Sequence, residues 1–313
     1  MEHGLRHSIW YSIMLIPLVI LFAVSCSTPP PAGGAGLAVV ATTTIVGDVV
    51  AQVGGEHISL TVLLPVDADP HSFDPAPQDM AAIERAQLVF INGLGLEENL
   101  ERMVRGAAQD VQVMTVSDGI DTIAFGGQTD QHDEDHHGGA DPHVWNDPRN
   151  VMVWAENIAE ALGQADPPNA SAYRENADSY IAALAALHSW IEGEVATLAP
   201  DRRTLVTDHT AFGYFAQAYG FTQVGAVIPG TSTLAEPSAQ QLAELEDAIR
   251  QYQVPAIFVG TTVNTNLAER VASDTGIELV PLYTGSLSDA DGPAASYIEL
   301  MHYNVRAIVE ALQ

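Results

Sequence analysis

The chain has 313 residues, no lysine and a single cysteine, and positive charge is scarce. Its 11 basic residues are all arginine, set against 40 acids, for a formal net charge of −29. A surface of that sign repels nucleic acid and anionic lipid and favours cations, so a polyanion-binding role is excluded. Plain solubility, or a saline habitat, accounts for the same charge. With one cysteine no intramolecular disulfide can form, and the folded body must be held by its core alone. The His-Glu-x-x-His pattern of zinc peptidases is also missing.

What is present at the start is a targeting segment. Met1 to His7 is short and carries Arg6, and Ile9 to Val24 is almost wholly apolar. Such a run is short for a membrane span and suits the core of a secretory signal. Ala23-Val24-Ser25-Cys26 then resembles a bacterial lipoprotein cleavage site, with Cys26 as the lipidated N-terminus, although Ala23 stands where leucine is more usual. An uncleaved signal anchor with an incidental cysteine is the alternative. Residues 27–36, rich in proline, glycine and alanine, read as a flexible tether.

About 277 residues follow, enough for two lobes with their own cores. In the first half, strands are expected at Leu37–Thr43, Ile58–Leu64, Leu88–Asn92 and Val111–Val116. Helices are expected at Ile45–Val53, Gln78–Ala86 and Glu97–Ala107. The second half repeats the alternation. Strands fall at Thr204–Thr207, Phe221–Val227, Ala256–Val259 and Glu278–Leu282. Helices fall at Ala211–Tyr219, Glu236–Tyr252 (with Pro237 in its first turn), Asn266–Asp274 and Ser296–Leu312. Between the halves, Asn169–Leu198 has helical composition, long enough to span roughly 45 Å. The expected fold is α/β: two lobes, each a mostly parallel sheet flanked by helices, joined by one long rigid helix. The expected division is a signal peptide at 1–25, a lipidated tether at 26–36, an N-terminal lobe at 37–168, the linking helix at 169–199 and a C-terminal lobe at 200–313.

Three histidines stand in similar acid-rich frames: Asp69-Pro70-His71, Asp141-Pro142-His143 and Asp208-His209. Neutral imidazole is the commonest protein ligand for zinc and suits other first-row metals. An acid one or two positions back can accept the ring's other N–H and fix the metal-binding tautomer. The three are far apart in sequence, so only tertiary folding can join them. Ligands of open α/β sheets bind beyond the carboxyl ends of the strands, which suits the positions of His71 and His209. The expected metal site is therefore an interlobe cleft lined by His71, His143 and His209.

At these segments the chain resembles the metal-binding (zinc/manganese) substrate-binding lipoproteins of bacterial ABC importers. The likeness runs from Val39 to the C-terminus. Leu63–Pro77, Asp141–Pro148, Thr207–Gly220, Glu236-Pro237-Ser238, Val254–Val259 and Tyr297–Asn304 carry it. The resemblance implies two lobes bridged by a rigid helix and a monomer held outside the cytoplasm by a lipid anchor. It also implies metal ligation by the three histidines, delivery to an ABC permease in the membrane, and no enzymatic activity.

The family's fourth ligand is commonly an aspartate in an Asp-Ser-Leu or Asp-Ser-Ile step. Here the segment reads Tyr283-Thr284-Gly285-Ser286-Leu287, so Gly285 occupies that place, and Gly260 stands where many relatives carry glutamate. Water is expected to fill the fourth position, with Asp289, Asp291 or an unplaced group as alternatives. Three imidazoles and few carboxylates favour Zn2+ over Mn2+, which prefers harder oxygen donors. The segment 128–140 holds His132, His136 and His137 among acids and is expected to be a mobile loop, either a weak zinc trap or merely solvated. His57, His188 and His302 read as structural or superficial. Two rival functions, a zinc-dependent hydrolase and a surface adhesin, lack a positioned general base and a separate binding module respectively.

Overall fold

Short runs of aliphatic residues, each followed by a helix, form two four-stranded parallel sheets. The computed structural model describes Met1 and residues 36–107, 111–124 and 139–313. The expected signal segment beyond Met1, Cys26 and residues 27–35 of the tether lie outside the described residues. So do positions 128–138 of the His- and acid-rich loop.

The first lobe contains β1 (Leu37–Ala41), β2 (Ile58–Val62), β3 (Leu88–Ile91) and β4 (Gln112–Thr115), in the spatial order β2-β1-β3-β4. Every pairing is parallel, with Val39 opposite both Leu60 and Leu88. Its helices are α1 (Thr44–Gly54), α2 (Pro77–Arg85) and α3 (Glu98–Ala107). The central strand Leu88-Val89-Phe90-Ile91 is buried throughout, as a sheet covered on both faces requires.

Two helices follow. The first, α4 (Pro148–Ala165), begins where Asp147 caps the Arg149 N–H at 2.9 Å and Pro148 takes the first helical position. The cap, and not the apolar repeat that begins at Val151, sets where this helix starts. The second, α5 (Ala170–Val195), is four residues shorter than expected and spans about 39 Å. Its buried stripe of Tyr173, Ala177, Tyr180, Leu184, Leu187, Ile191 and Val195 follows the helical repeat.

The second lobe contains β5 (Thr204–His209), β6 (Thr222–Ile228), β7 (Ala256–Gly260) and β8 (Glu278–Leu282), in the order β6-β5-β7-β8 and again all parallel. Its helices are α6 (Gly213–Tyr219), α7 (Ala239–Tyr252), α8 (Asn266–Thr275) and α9 (Tyr297–Leu312). One sequence expectation is corrected here. Ser238 is the N-cap of α7, sharing a capping box with Gln241, so Pro237 lies before the helix and not in its first turn.

The largest apolar cluster is shared by both lobes: Val39 and Phe90 from one sheet meet Leu205 and Phe258 from the other through Trp154, Leu184, Tyr297 and their neighbours. Each sheet's other face has its own smaller cluster, under α2 and α3 in the first lobe and under α7 and α8 in the second. Hydrogen bonds add to this shared core. Asn146 Nδ2 donates to the Ala211 carbonyl at 2.9 Å and Tyr214 Oη to the Asp141 carbonyl at 2.9 Å. Trp145 Nε1 donates to the Thr284 carbonyl at 3.2 Å, and the Asp67 N–H to Ser286 Oγ at 3.0 Å. The loops at the carboxyl ends of the two sheets are thereby fixed against each other.

Candidate metal centre

His71 lies in the loop after β2, His143 in the connection between β4 and α4, and His209 is the last residue of β5. The fold brings all three together. His143 Nε2 stands 3.3 Å from His71 Nε2 and 3.2 Å from His209 Nε2. His143 and His209 are buried and His71 is half-buried. Among the described residues these three form the group of close metal-competent side chains.

Local hydrogen bonding explains how two of the rings are aimed. Asp141 Oδ1 accepts from His143 Nδ1 at 2.8 Å and from its backbone N–H at 3.0 Å. Asp208 Oδ1 likewise accepts from His209 Nδ1 at 2.8 Å and from its backbone N–H at 2.7 Å. Asp208 Oδ2 also takes the Gly260 N–H at 2.7 Å, tying β5 to β7 at the point where the chain's crossovers diverge. With Nδ1 protonated, each Nε2 keeps a bare lone pair directed at the common centre.

The third frame does not work this way, although its sequence matches. Asp69 Oδ1 accepts the His71 backbone N–H at 3.0 Å, and its Oδ2 accepts from Ser72 Oγ at 3.1 Å and Thr233 Oγ1 at 2.6 Å. Its carboxylate therefore shapes the loop and ties it to the second lobe, while the His71 ring has no carboxylate partner among the described residues. A proline lies between acid and histidine in both the His71 and the His143 frames, so spacing alone does not separate them.

Burial and the two neighbouring imidazoles disfavour a charge on His71, pushing its pKa down to about 2. Burial also holds His143 below the ordinary histidine range, against the upward pull of Asp141. Neutral rings are the metal-binding form. The nitrogen separations also suit a small cation: tetrahedral donors at 2.0–2.1 Å stand about 3.3–3.4 Å apart.

The remaining wall is formed by Asp69, Pro70, Trp145, Thr233, Thr262, Thr284 and Gly285 around a space of about 10 Å³. Gly285 thus does line the centre. Asp289 and Asp291, the alternative fourth donors expected from sequence, are exposed and lie outside this wall. Short-range proximity in sequence to Gly285 does not bring them inward. Thr233, Thr262 and Thr284 are site residues that sequence reasoning did not single out, because a threonine in a loop carries no spacing signal of its own. The other described histidines serve packing: His188 Nδ1 is 2.9 Å from Tyr219 Oη, His302 packs on Trp190, and His57 meets Tyr173 edge-on.

Comparison with known proteins agrees across nearly the whole chain. The family model described as zinc-uptake complex component A, periplasmic, matches residues 39–311. The manganese-binding lipoprotein MntA of Halalkalibacterium halodurans is 34% identical over 303 residues, covering 96% of this chain and 97% of that protein. The manganese ABC transporter substrate-binding lipoprotein PsaA of Streptococcus pneumoniae is 30% identical over 307 residues, with 96% and 97% coverage. Among solved structures, the periplasmic zinc-binding protein TroA of Treponema pallidum superposes with a TM-score of 0.81 at 26% identity, covering 89% of this chain and 99% of that one. The manganese-bound periplasmic metal-binding protein of Candidatus Liberibacter asiaticus gives 0.77 at 28% identity, with 88% and 99% coverage.

Proposed function

The chain belongs to the zinc-uptake complex component A family of metal-binding proteins of ABC importers, and on that premise we propose that it captures one zinc ion between its lobes at His71, His143 and His209. It is a receptor and not an enzyme: it holds a divalent metal as cargo and works with a membrane permease. The single observation that supports the ligand set is the convergence of three imidazole Nε2 atoms, two of them fixed in the metal-binding tautomer by buried carboxylates.

Zinc is favoured by the chemistry of the donors. Three neutral nitrogens at tetrahedral spacing suit zinc, whereas manganese prefers more oxygen donors and a larger coordination number. Manganese is the second reading, supported by relatives named for it. The hydrolase alternative is dropped with the family assignment, and nothing supports adhesion. Membrane attachment through a lipid on Cys26, a monomeric state and the division at 1–25, 26–36, 37–168, 169–199 and 200–313 belong to the same reading. No helix among the described residues is long and apolar enough to cross a membrane.

The test is metal analysis of the purified protein with competitive titration by Zn2+ and Mn2+. One equivalent of zinc should bind, outcompeting manganese at equal concentration. His143→Ala and His209→Ala should each abolish tight binding. Retention of zinc affinity in His209→Ala would remove the interlobe site; preference for manganese would replace zinc as the cargo.

A further inference from the structure

Glu97 is a buried acid that touches none of the three histidines. It lies in the connection from β3 to α3, fully buried, where desolvation disfavours its charge. Its Oε1 accepts from Thr42 Oγ1 and from the Asn92 N–H, both at 2.7 Å. Its Oε2 is buried without a partner among the described residues. The turn it closes is strained: Gly93, Leu94 and Gly95 have φ of 82°, 57° and 77°, values that a leucine rarely adopts. An apolar side chain of similar length would pack here without that desolvation, so stability alone does not account for an acid at this position.

What the carboxylate fixes is Asn92. This residue is also fully buried, and its Nδ2 donates to the Gly93 carbonyl at 2.8 Å and to the Pro142 carbonyl at 3.1 Å. The Pro142 carbonyl belongs to the planar peptide that joins Pro142 to His143. The N–H of the same peptide donates to Asp141 Oδ1 at 3.0 Å. That peptide is therefore pinned on both edges, by Asn92 from the end of β3 and by Asp141 from its own loop. Asp141 and His143 bond each other and could shift together as one piece. The Asn92 bond ties that piece to the first sheet.

We propose that Glu97 is a positioning residue for metal capture, acting on His143 in series through Asn92 and the Pro142–His143 peptide. The proposal rests on the metal-receptor reading. Metal–nitrogen bonds tolerate little misplacement, so a tilted peptide under His143 lowers affinity while every ligand is still present.

The test is the zinc affinity of the purified protein, measured by competition with a chelator of known affinity. Glu97→Ala and Asn92→Ala should each weaken zinc about fivefold, the value of one neutral hydrogen bond. The double variant should lose no more than either single one, because links in series fail together. Glu97→Gln, whose amide oxygen accepts the same two bonds, should keep native affinity. Ile83→Ala, in the first lobe's smaller cluster and outside this chain of bonds, should lower stability and leave affinity unchanged. If Glu97→Ala does not fold, Glu97→Met fills its cavity and carries the same expectation. Native affinity in the folded Glu97 variant, losses that add in the double variant, or an equal loss in Ile83→Ala each overturn this proposal alone. A native protein that binds no zinc removes the receptor reading beneath it.

Discussion

Asp208→Asn is the substitution that best separates ring orientation from ligation. In the native protein one carboxylate serves three donors: Oδ1 takes the His209 ring and backbone N–H groups, and Oδ2 takes the Gly260 N–H. An amide cannot replace it in either orientation. If its oxygen faces Gly260, its NH2 group faces His209 Nδ1 and pulls the proton onto Nε2, which blocks the metal-binding lone pair. If its oxygen faces His209, its NH2 group confronts the Gly260 N–H inside a buried site, leaving that donor unpaired at about 1–3 kcal/mol. The expected result is a 10- to 100-fold loss of zinc affinity, about 1.4–2.8 kcal/mol. Competitive titration against a chelator of known affinity measures it. Asp141→Asn should behave similarly, because Asp141 holds His143 by the same 2.8 Å bond. Asp69→Asn should cost much less, since Asp69 touches only the backbone of His71. Equal losses in all three variants would refute the distinction between ring-holding and loop-holding acids.

Zinc at a thousandfold excess over its Kd should stabilise the protein by about 4 kcal/mol, or about 7 °C in melting temperature for a body of this size; calorimetry with and without zinc checks this. Trp154→Ala should destabilise by about 3–5 kcal/mol in urea titration, since the ring is fully buried in the shared core and its Nε1 donates to Ser117 Oγ. Glu97 is fully buried, with Oε1 held by Thr42 and Asn92 and Oε2 without a partner, and burial raises its pKa above the carboxylate range. A raised folded-state pKa means that its neutral form stabilises at low pH and that this contribution is lost as pH rises through the folded value. Glu97→Gln should therefore gain stability relative to the native protein as pH rises above the ordinary carboxylate range. A constant difference in thermal stability across that rise in pH would sink the assignment.

Much of the fold was legible because parallel strands covered on both faces are continuous apolar runs, and their helices carry the other period. Leu88–Ile91 and Ala256–Gly260 show this directly. Boundaries were less legible because caps decide them: Asp147 starts α4 before its apolar repeat does, and Ser238 excludes Pro237 from α7. The three histidines were visible as a set because acid and imidazole recur together. Their inequality was not visible, since whether an aspartate reaches a ring or only a backbone N–H depends on the loop's path. Thr284 was part of a segment read for its missing aspartate, yet its orphaned hydroxyl emerges only once the surrounding wall is assembled.

The hydrogen bonds that cross between the lobes bear on selectivity as a matter of stiffness. Asn146, Tyr214, Trp145 and Thr233 each fasten a loop carrying one histidine to the opposite lobe. A seat held that firmly has little compliance, so an ion of the wrong radius cannot be met by letting the nitrogens retreat. Misfit is then felt as strained metal–nitrogen bonds and not as a small adjustment of the frame. Loosening these fasteners, by Thr233→Val for example, would be expected to soften discrimination between cations before it lowers affinity for any one of them.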